Sequence, residues 1–310
     1  GDHRDLHSFP TRRSSDLTPY GKFLARIEGP VSGNVLLRRA QYRVSDDETG
    51  CAAIVCGVLI GKVHNQRAVL SRGLRDYGAK LPEEEKARLE GERSRMSRIA
   101  RDLLIEPATD RLRGLEGEAA QRYFSVFDLL IRHESDAFRF TGRNRRPPRD
   151  CTNALLSFLY TLLTHDCRSA LESVGLDPAV GFLHRDRPGR SSLALDLAEE
   201  FRPLLGDRLA LSLINRRQLR EKDFIIAESG GVTLTEEARK TVLTAYQERK
   251  REELNHALIG AKAPIGMVPF LQAQLLARHL RGDLDSYPPF LRKSTGSSSC
   301  RYLAATVSAL

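Results

Sequence analysis

The chain of 310 residues can hold one large domain or two smaller ones, and its 41% hydrophobic residues are enough for an ordinary core, which excludes a disordered polar chain. The formal net charge is +9, with arginine and lysine gathered in TGRNRRPPRD, HRDRPGR, INRRQLREK and QERKREE. That distribution points to a polyanionic partner, with a merely well-solvated surface as the alternative.

Five cysteines, an odd number without a repeated C-x-x-C spacing, and the lack of a signal peptide or membrane-length apolar run suit reduced thiols in a cytosolic protein with no membrane contact. Cys51 and Cys56 could be half of a zinc or iron–sulfur site, but no second pair exists, so they read as buried thiols.

Residues 1–17, GDHRDLHSFPTRRSSDL, show neither helical nor strand periodicity. The string matches a one-frame translation of a short-read sequencing adapter, so it is set aside as non-native, with the gene expected to continue upstream. Residues 18–33 contain YGKFLARIE, an alternating stretch bounded by turns, which suits a strand and the remnant of a small β domain. Residues 34–293 form the body. Three-to-four spacing predicts helices over NVLLRRAQYRVSDD, EEEKARLEGERSRMSRIARDLL, LEGEAAQRYFSVFDLLIRH and TNALLSFLYTLLTHDCRSALESVG. Pro147 and Pro148 break the pattern before the fourth of these, and Gly175 with Pro178 ends it. Further helices are expected over SLALDLAEEF, TLTEEARKTVLTAYQERKREEL, with Thr235 as its N-cap, and MVPFLQAQLLARHLRG. Residues 294–310, Ser-rich and aperiodic, read as a non-native or disordered tail. The fold class is therefore mainly α, a helical catalytic domain behind a β remnant. Dropping both ends removes four Arg and three Asp, taking +9 to +8, so the basic character belongs to the body.

Three features could carry chemistry. On a helical wheel Asp166 falls within the apolar stripe of Leu155, Leu159, Leu162, Leu163 and Ala170, where an ionised carboxylate is costly unless a cation or donors meet it; a buried salt bridge to an arginine is the plain alternative. Asp196 and Glu199, three apart, project from neighbouring turns with Glu200 alongside, an arrangement that can share a cation or form a solvated acidic face. His184 precedes them across a loop, and alone it would be an ordinary packed or surface histidine. Together, an imidazole and several carboxylates describe a hard site for Mg²⁺ or Mn²⁺, and the basic loops around it could hold phosphates.

The segments GKFLARIEGPVSGNVLLRRAQYR, LRGLEGEAAQRYF, FTGRNRRPPRD, NALLSFLYTLL, GLDPAVGFLHRDRPGRSSLALDLAEEFRP, LTEEARKTVLTAYQERKREE and LQAQLLARHLRGDLDSYPPF, in this order, resemble the CRISPR-associated spacer-acquisition integrase, the metal-dependent DNA endonuclease of the adaptation complex, in its type I-C form. The likeness runs from about Tyr20 to Lys293. It implies a homodimeric subunit, with a β domain used in dimerisation ahead of a helical catalytic domain, that joins captured double-stranded DNA fragments to a CRISPR repeat by 3′-hydroxyl attack. The implied partners are a small ferredoxin-like adaptation subunit and a CRISPR-associated exonuclease, in the prokaryotic cytoplasm.

Carried onto this sequence, the resemblance implies Asp166, His184 and Glu199 as metal ligands and catalytic residues, with Asp196 as a supporting acid. Many family members have glutamate where Asp166 stands, and the family's terminal Trp-Lys is replaced here by FLRK. Candidates for a DNA phosphate track are Arg145 and Arg146 before the prolines, Arg185, Arg187 and Arg190 after the histidine, Lys240, Arg249 and Lys250 on one later helix, and Arg278 and Arg281 on the last. A nuclease of branched DNA acting alone and an inert DNA-binding fragment lacking its dimerisation domain are the alternatives.

Overall fold

Residues 57–66 are buried without a break, in the middle of the longest helix of the protein. The computed structural model describes residues 14–17, 23–27, 34–256 and 258–292. Its helices run α1 (Val35–Asp46), α2 (Glu48–Tyr77), α3 (Glu83–Ile105) and α4 (Thr109–Ser125), then α5 (Cys151–Ser173), α6 (Ser192–Phe201), α7 (Arg208–Asn215), α8 (Glu236–Arg251) and α9 (Val268–Leu280). The strands are three antiparallel pairs, β1 (Ser14–Leu17) with β2 (Phe23–Ile27), β3 (Phe224–Ile226) with β4 (Val232–Leu234), and β5 (Glu253–Asn255) with β6 (Lys262–Pro264). The mainly α architecture expected from periodicity is what the chain adopts.

α2, like the short α7, is a helix that three-to-four spacing does not single out. Val55, Leu59, Ile60 and Val63 are fully buried, and Gly61 and Asn65 are buried between them, so the segment is enclosed on all sides and has no polar face to set the period. It packs along α3, α4 and α6, while α5 packs along α6 and α9. Caps follow the sequence: Asn34 accepts from the N–H groups of Leu36 and Leu37, Asp150 from that of Asn153, and Thr235 from that of Ala238.

Two expected elements are shorter than their patterns. The helix read over 115–133 stops at Ser125 and passes into a 3₁₀ turn, Phe127–Leu130, and that read over 233–254 stops at Arg251, after which β5 begins. β1 lies inside the stretch set aside as non-native, and it pairs with β2 in an antiparallel ladder, although its residues show no strand periodicity in the sequence. The tail after Lys293 lies outside the described residues. Cys51, Cys56, Cys151 and Cys167 are free thiols, the first two donating to the carbonyls of Phe182 and Leu103.

Candidate functional site

Asp196 is 1% exposed, and four donors converge on it. Its Oδ2 accepts the backbone N–H groups of Phe182 (2.7 Å) and Leu183 (3.0 Å), and its Oδ1 accepts the N–H of His184 (3.0 Å) and contacts that imidazole's Nδ1 at 2.6 Å. A buried carboxylate can only accept, so Nδ1 carries the proton and the lone pair of Nε2 is left for another group. From the other side Arg113 on α4 donates to the carbonyls of Leu183 (2.9 Å) and Phe182 (3.3 Å). The turn before α6 is thus clamped through both its N–H and C=O groups. Gly181 makes room for this: a Cβ there would stand 2.8 Å from Ser192 Cβ and 2.9 Å from Asp196 Oδ2.

The oriented Nε2 lies 4.0 Å from Glu199 Oε1. Glu199 is 2% exposed and is flanked by Arg202, one turn on, and by Lys62 of α2, whose Nζ is 2.7 Å from Oε2. The same ammonium pairs with Glu116 of α4. Burial would raise the Glu199 carboxyl, but the Arg202 and Lys62 cations outweigh it and hold the group at about 2. Glu199 Oε2 has the ammonium close by yet no hydrogen-bond partner of good geometry. Among the described residues no three His, Cys, Asp or Glu side chains converge on one point, because Lys62 stands between the two glutamates.

Asp166 is not brought to this place. It is half-buried on the side of α5 that faces α8, where it accepts from Tyr246 Oη (2.8 Å) and Lys250 Nζ (2.9 Å). The salt bridge considered from the wheel exists, with a lysine instead of an arginine. None of its contacts among the described residues reaches His184 or Glu199. The acid that does stand with Glu199 is Glu116, which sequence reasoning passed over. Its signal was present: Leu112, Glu116, Ala119 and Tyr123 recur at i, i+4, i+7 and i+11, so Glu116 lies on the buried stripe of α4, and the other three are buried. Lys62 was legible as a lone charge in the apolar run CAAIVCGVLIGKV.

Glu200 points elsewhere, accepting from Tyr287 Oη, the Phe290 N–H and Gln272 Nε2, and its burial raises the carboxyl to about 8. Past Phe201 a π-helical turn, Arg202–Asp207, brings buried Asp207 between the hydroxyls of Tyr123 (2.9 Å) and Tyr160, while the Arg202 guanidinium covers the Tyr160 ring at 5.0 Å.

The proposed phosphate track divides. Arg185 is paired with Asp110, Lys240 with Glu236, Arg249 with Glu252, Lys250 with Asp166 and Arg281 with Asp283. Arg145, Arg146, Arg187, Arg190 and Arg278 have no acidic partner among the described residues, and all but Arg190 are exposed.

The buried Glu199 and the half-buried Glu116 sharing a cation, with an imidazole held in one tautomer beside them, form a donor set of hard oxygens and one nitrogen that fits a divalent ion. Set among arginine-rich loops, that is the equipment of metal-assisted phosphodiester enzymes. Comparison with known proteins makes the family definite: residues 15–248 match the family model for CRISPR associated protein Cas1, and the chain belongs to that family. It is 63% identical over 274 residues to CRISPR-associated endonuclease Cas1 2 of Rhodospirillum rubrum, covering 88% of this chain and 79% of the relative. Among solved structures, a casposase bound to integration product superposes with a TM-score of 0.72 at 25% identity, covering 92% of this chain and 79% of that one. A Cas6-RT-Cas1–Cas2 complex gives 0.73 at 25% identity, covering 89% of this chain and 29% of that one. No helix among the described residues is long and apolar enough to cross a membrane.

Proposed function

We propose that this chain is the DNA endonuclease and integrase subunit of CRISPR adaptation, and that Glu116, His184 and Glu199 hold its divalent ion, Mg²⁺ or Mn²⁺. The observation that carries the reading is the Glu116–Lys62–Glu199 bridge, buried at Lys62 and Glu199 and half-buried at Glu116, beside an imidazole whose free nitrogen is aimed at Glu199. Asp166 enters this set only as a structural acid on α5.

The reaction inserts a captured double-stranded fragment as a spacer: its 3′-hydroxyl attacks a phosphodiester at the repeat boundary, a new P–O bond forms, and the old 3′-oxygen leaves with a proton. The ion, when bound, activates the attacking hydroxyl and stabilises the leaving oxygen. Asp196 keeps the His184 proton on Nδ1, so the ring presents Nε2 throughout. Lys62 and Arg202 keep Glu199 ionised. Arg187 and Arg190, next to His184 in sequence, and Arg145 and Arg146 supply the unpaired cations that bring the phosphate backbone to the acids. The likeness to a Cas1–Cas2 assembly supports work with other adaptation proteins. We assign as partners a second copy of this chain, the small ferredoxin-like subunit and a CRISPR-associated exonuclease, in the prokaryotic cytoplasm.

The test is a strand-transfer assay with a labelled fragment, a repeat-containing duplex and Mn²⁺, run with and without the small partner subunit. Joining by the complex, lost in Glu116→Ala, His184→Ala and Glu199→Ala, is the expected result. Cutting of branched DNA by the isolated chain without any joining would favour a stand-alone nuclease, and DNA binding with neither reaction an inert fragment.

A further inference from the structure

Away from the acid pair, α2, α7 and α8 wall a cavity of about 470 Å³. Five arginines line it, Arg72, Arg208, Arg216, Arg249 and Arg292, against three acids, Asp76, Glu248 and Glu252. Asp76 is taken by Arg72 (3.0 Å) and Arg75 (3.2 Å), and Glu252 by Arg249. Arg208, Arg216 and Arg292 have no acidic partner among the described residues. Two guanidinium nitrogens, Arg208 Nη1 and Arg249 Nε, are buried with no hydrogen-bond partner there. Burial, then the neighbouring Arg72 and Arg75, lower the Arg292 pKa, so these cations confront one another with too little negative charge between them. The cavity is separate from the acid pair: Gly73 on its wall is eleven residues along α2 from Lys62, roughly 16 Å of helix rise.

We propose that this cavity binds a phosphate monoester of nucleotide size. Its volume lies in the range of small-ligand sites, about 300–1,000 Å³. The excess of two arginines over acids matches the charge of a phosphate monoester near neutral pH, roughly −1.5 to −2. Planar guanidinium donors pair with phosphate oxygens two at a time, and three of the five lining this cavity, Arg208, Arg216 and Arg292, have no acid among the described residues to occupy them. Tyr77 lines the same wall, with the Arg132 guanidinium over its ring at 5.9 Å. Two sources share this chemistry, a free mononucleotide and the terminal phosphate of a DNA strand. The inference does not rest on the metal site.

Calorimetric titration of the full chain with AMP, adenosine, and one oligonucleotide with and without a 5′-phosphate tests it. AMP binds and adenosine does not, or the phosphorylated oligonucleotide binds tighter than its unphosphorylated twin; the first result assigns a free nucleotide, the second a strand end. Arg208→Gln weakens the phosphate-dependent binding by ~10-fold or more without lowering the melting temperature, since it removes a buried donor that has no partner. If that variant does not fold, Arg216→Gln, on an exposed side chain, serves for the same comparison. No preference for the phosphate in either pair, or a preference that persists unchanged in Arg208→Gln and Arg216→Gln, overturns the proposal.

Discussion

Lys62 Nζ and Glu199 Oε2 stand 2.7 Å apart with their side chains only 6% and 3% exposed, and the same ammonium also meets Glu116. One lysine therefore balances two carboxylates contributed by different helices. At the proposed metal site a divalent ion would supply that same balancing charge, so lysine and ion would compete for the two acids.

Lys62→Met removes the competitor. Without metal the variant loses roughly 3 kcal/mol, because the buried Glu199 loses one of its two cations and faces Glu116 directly. Mn²⁺ binds it ~10-fold tighter than wild type and raises its melting temperature more. Calorimetry and thermal melts read both; an unchanged Mn²⁺ affinity contradicts competition.

Glu116 and Asp166 separate cleanly by mutation. Glu116→Ala lowers strand transfer by ~10³-fold, as expected when a metal ligand worth several kcal/mol is lost. Asp166→Ala costs stability, since Lys250 and the Tyr246 hydroxyl lose their acceptor, but leaves the Mn²⁺ titration unchanged. The reverse pattern would return Asp166 to the metal site.

Asp196→Ala strips the acceptor from three backbone N–H groups and an imidazole. The expected loss is roughly 3 kcal/mol in urea unfolding, with Mn²⁺ affinity reduced ~10- to 100-fold because His184 is no longer held in one orientation. Wild-type affinity in this variant would show that the ring needs no such support.

Glu200 sets a pH dependence. Its carboxyl titrates at about 8 in the folded chain, above the usual carboxylate range, so the folded state holds a proton that the unfolded state has released. Its contribution is complete at acid pH and is lost as pH rises toward about 8, at no more than about 1.4 kcal/mol per pH unit. His64 and His256, lowered by burial, act in the opposite sense below neutrality, so the difference between wild type and Glu200→Gln isolates the effect. That difference grows in favour of the glutamine variant between pH 5 and 8; a constant difference contradicts the assignment.

Where one face of a helix is polar, periodicity located it: α3, α5, α8 and α9 lie where the spacing places them, and Thr235 caps α8 as its hydroxyl and the following acids suggest; α6 is buried at nearly every position and was located by its short apolar run. α2 escaped because enclosure on every side erases the alternation that marks a helix. The site was half visible for a related reason. His184, Asp196 and Glu199 are close in sequence, so local spacing grouped them. Glu116 and Lys62 come from α4 and α2, more than fifty residues from one another and farther from Glu199, and only tertiary packing unites them. Asp166 drew attention by its wheel position, but a wheel records which side a residue is on and says nothing of which neighbour covers that side.

Glu199 and Glu200 are consecutive residues facing opposite neighbours. The first meets Lys62 and Arg202, and the second takes hydrogen bonds from Tyr287 and Phe290 of the segment after α9, which Asn65 of α2 also grips at the Phe290 carbonyl and the Arg292 N–H. α6 is in effect an axle. The 287–292 strap is thereby tied, through a single step along the α6 backbone, to the carboxylate proposed to hold the ion.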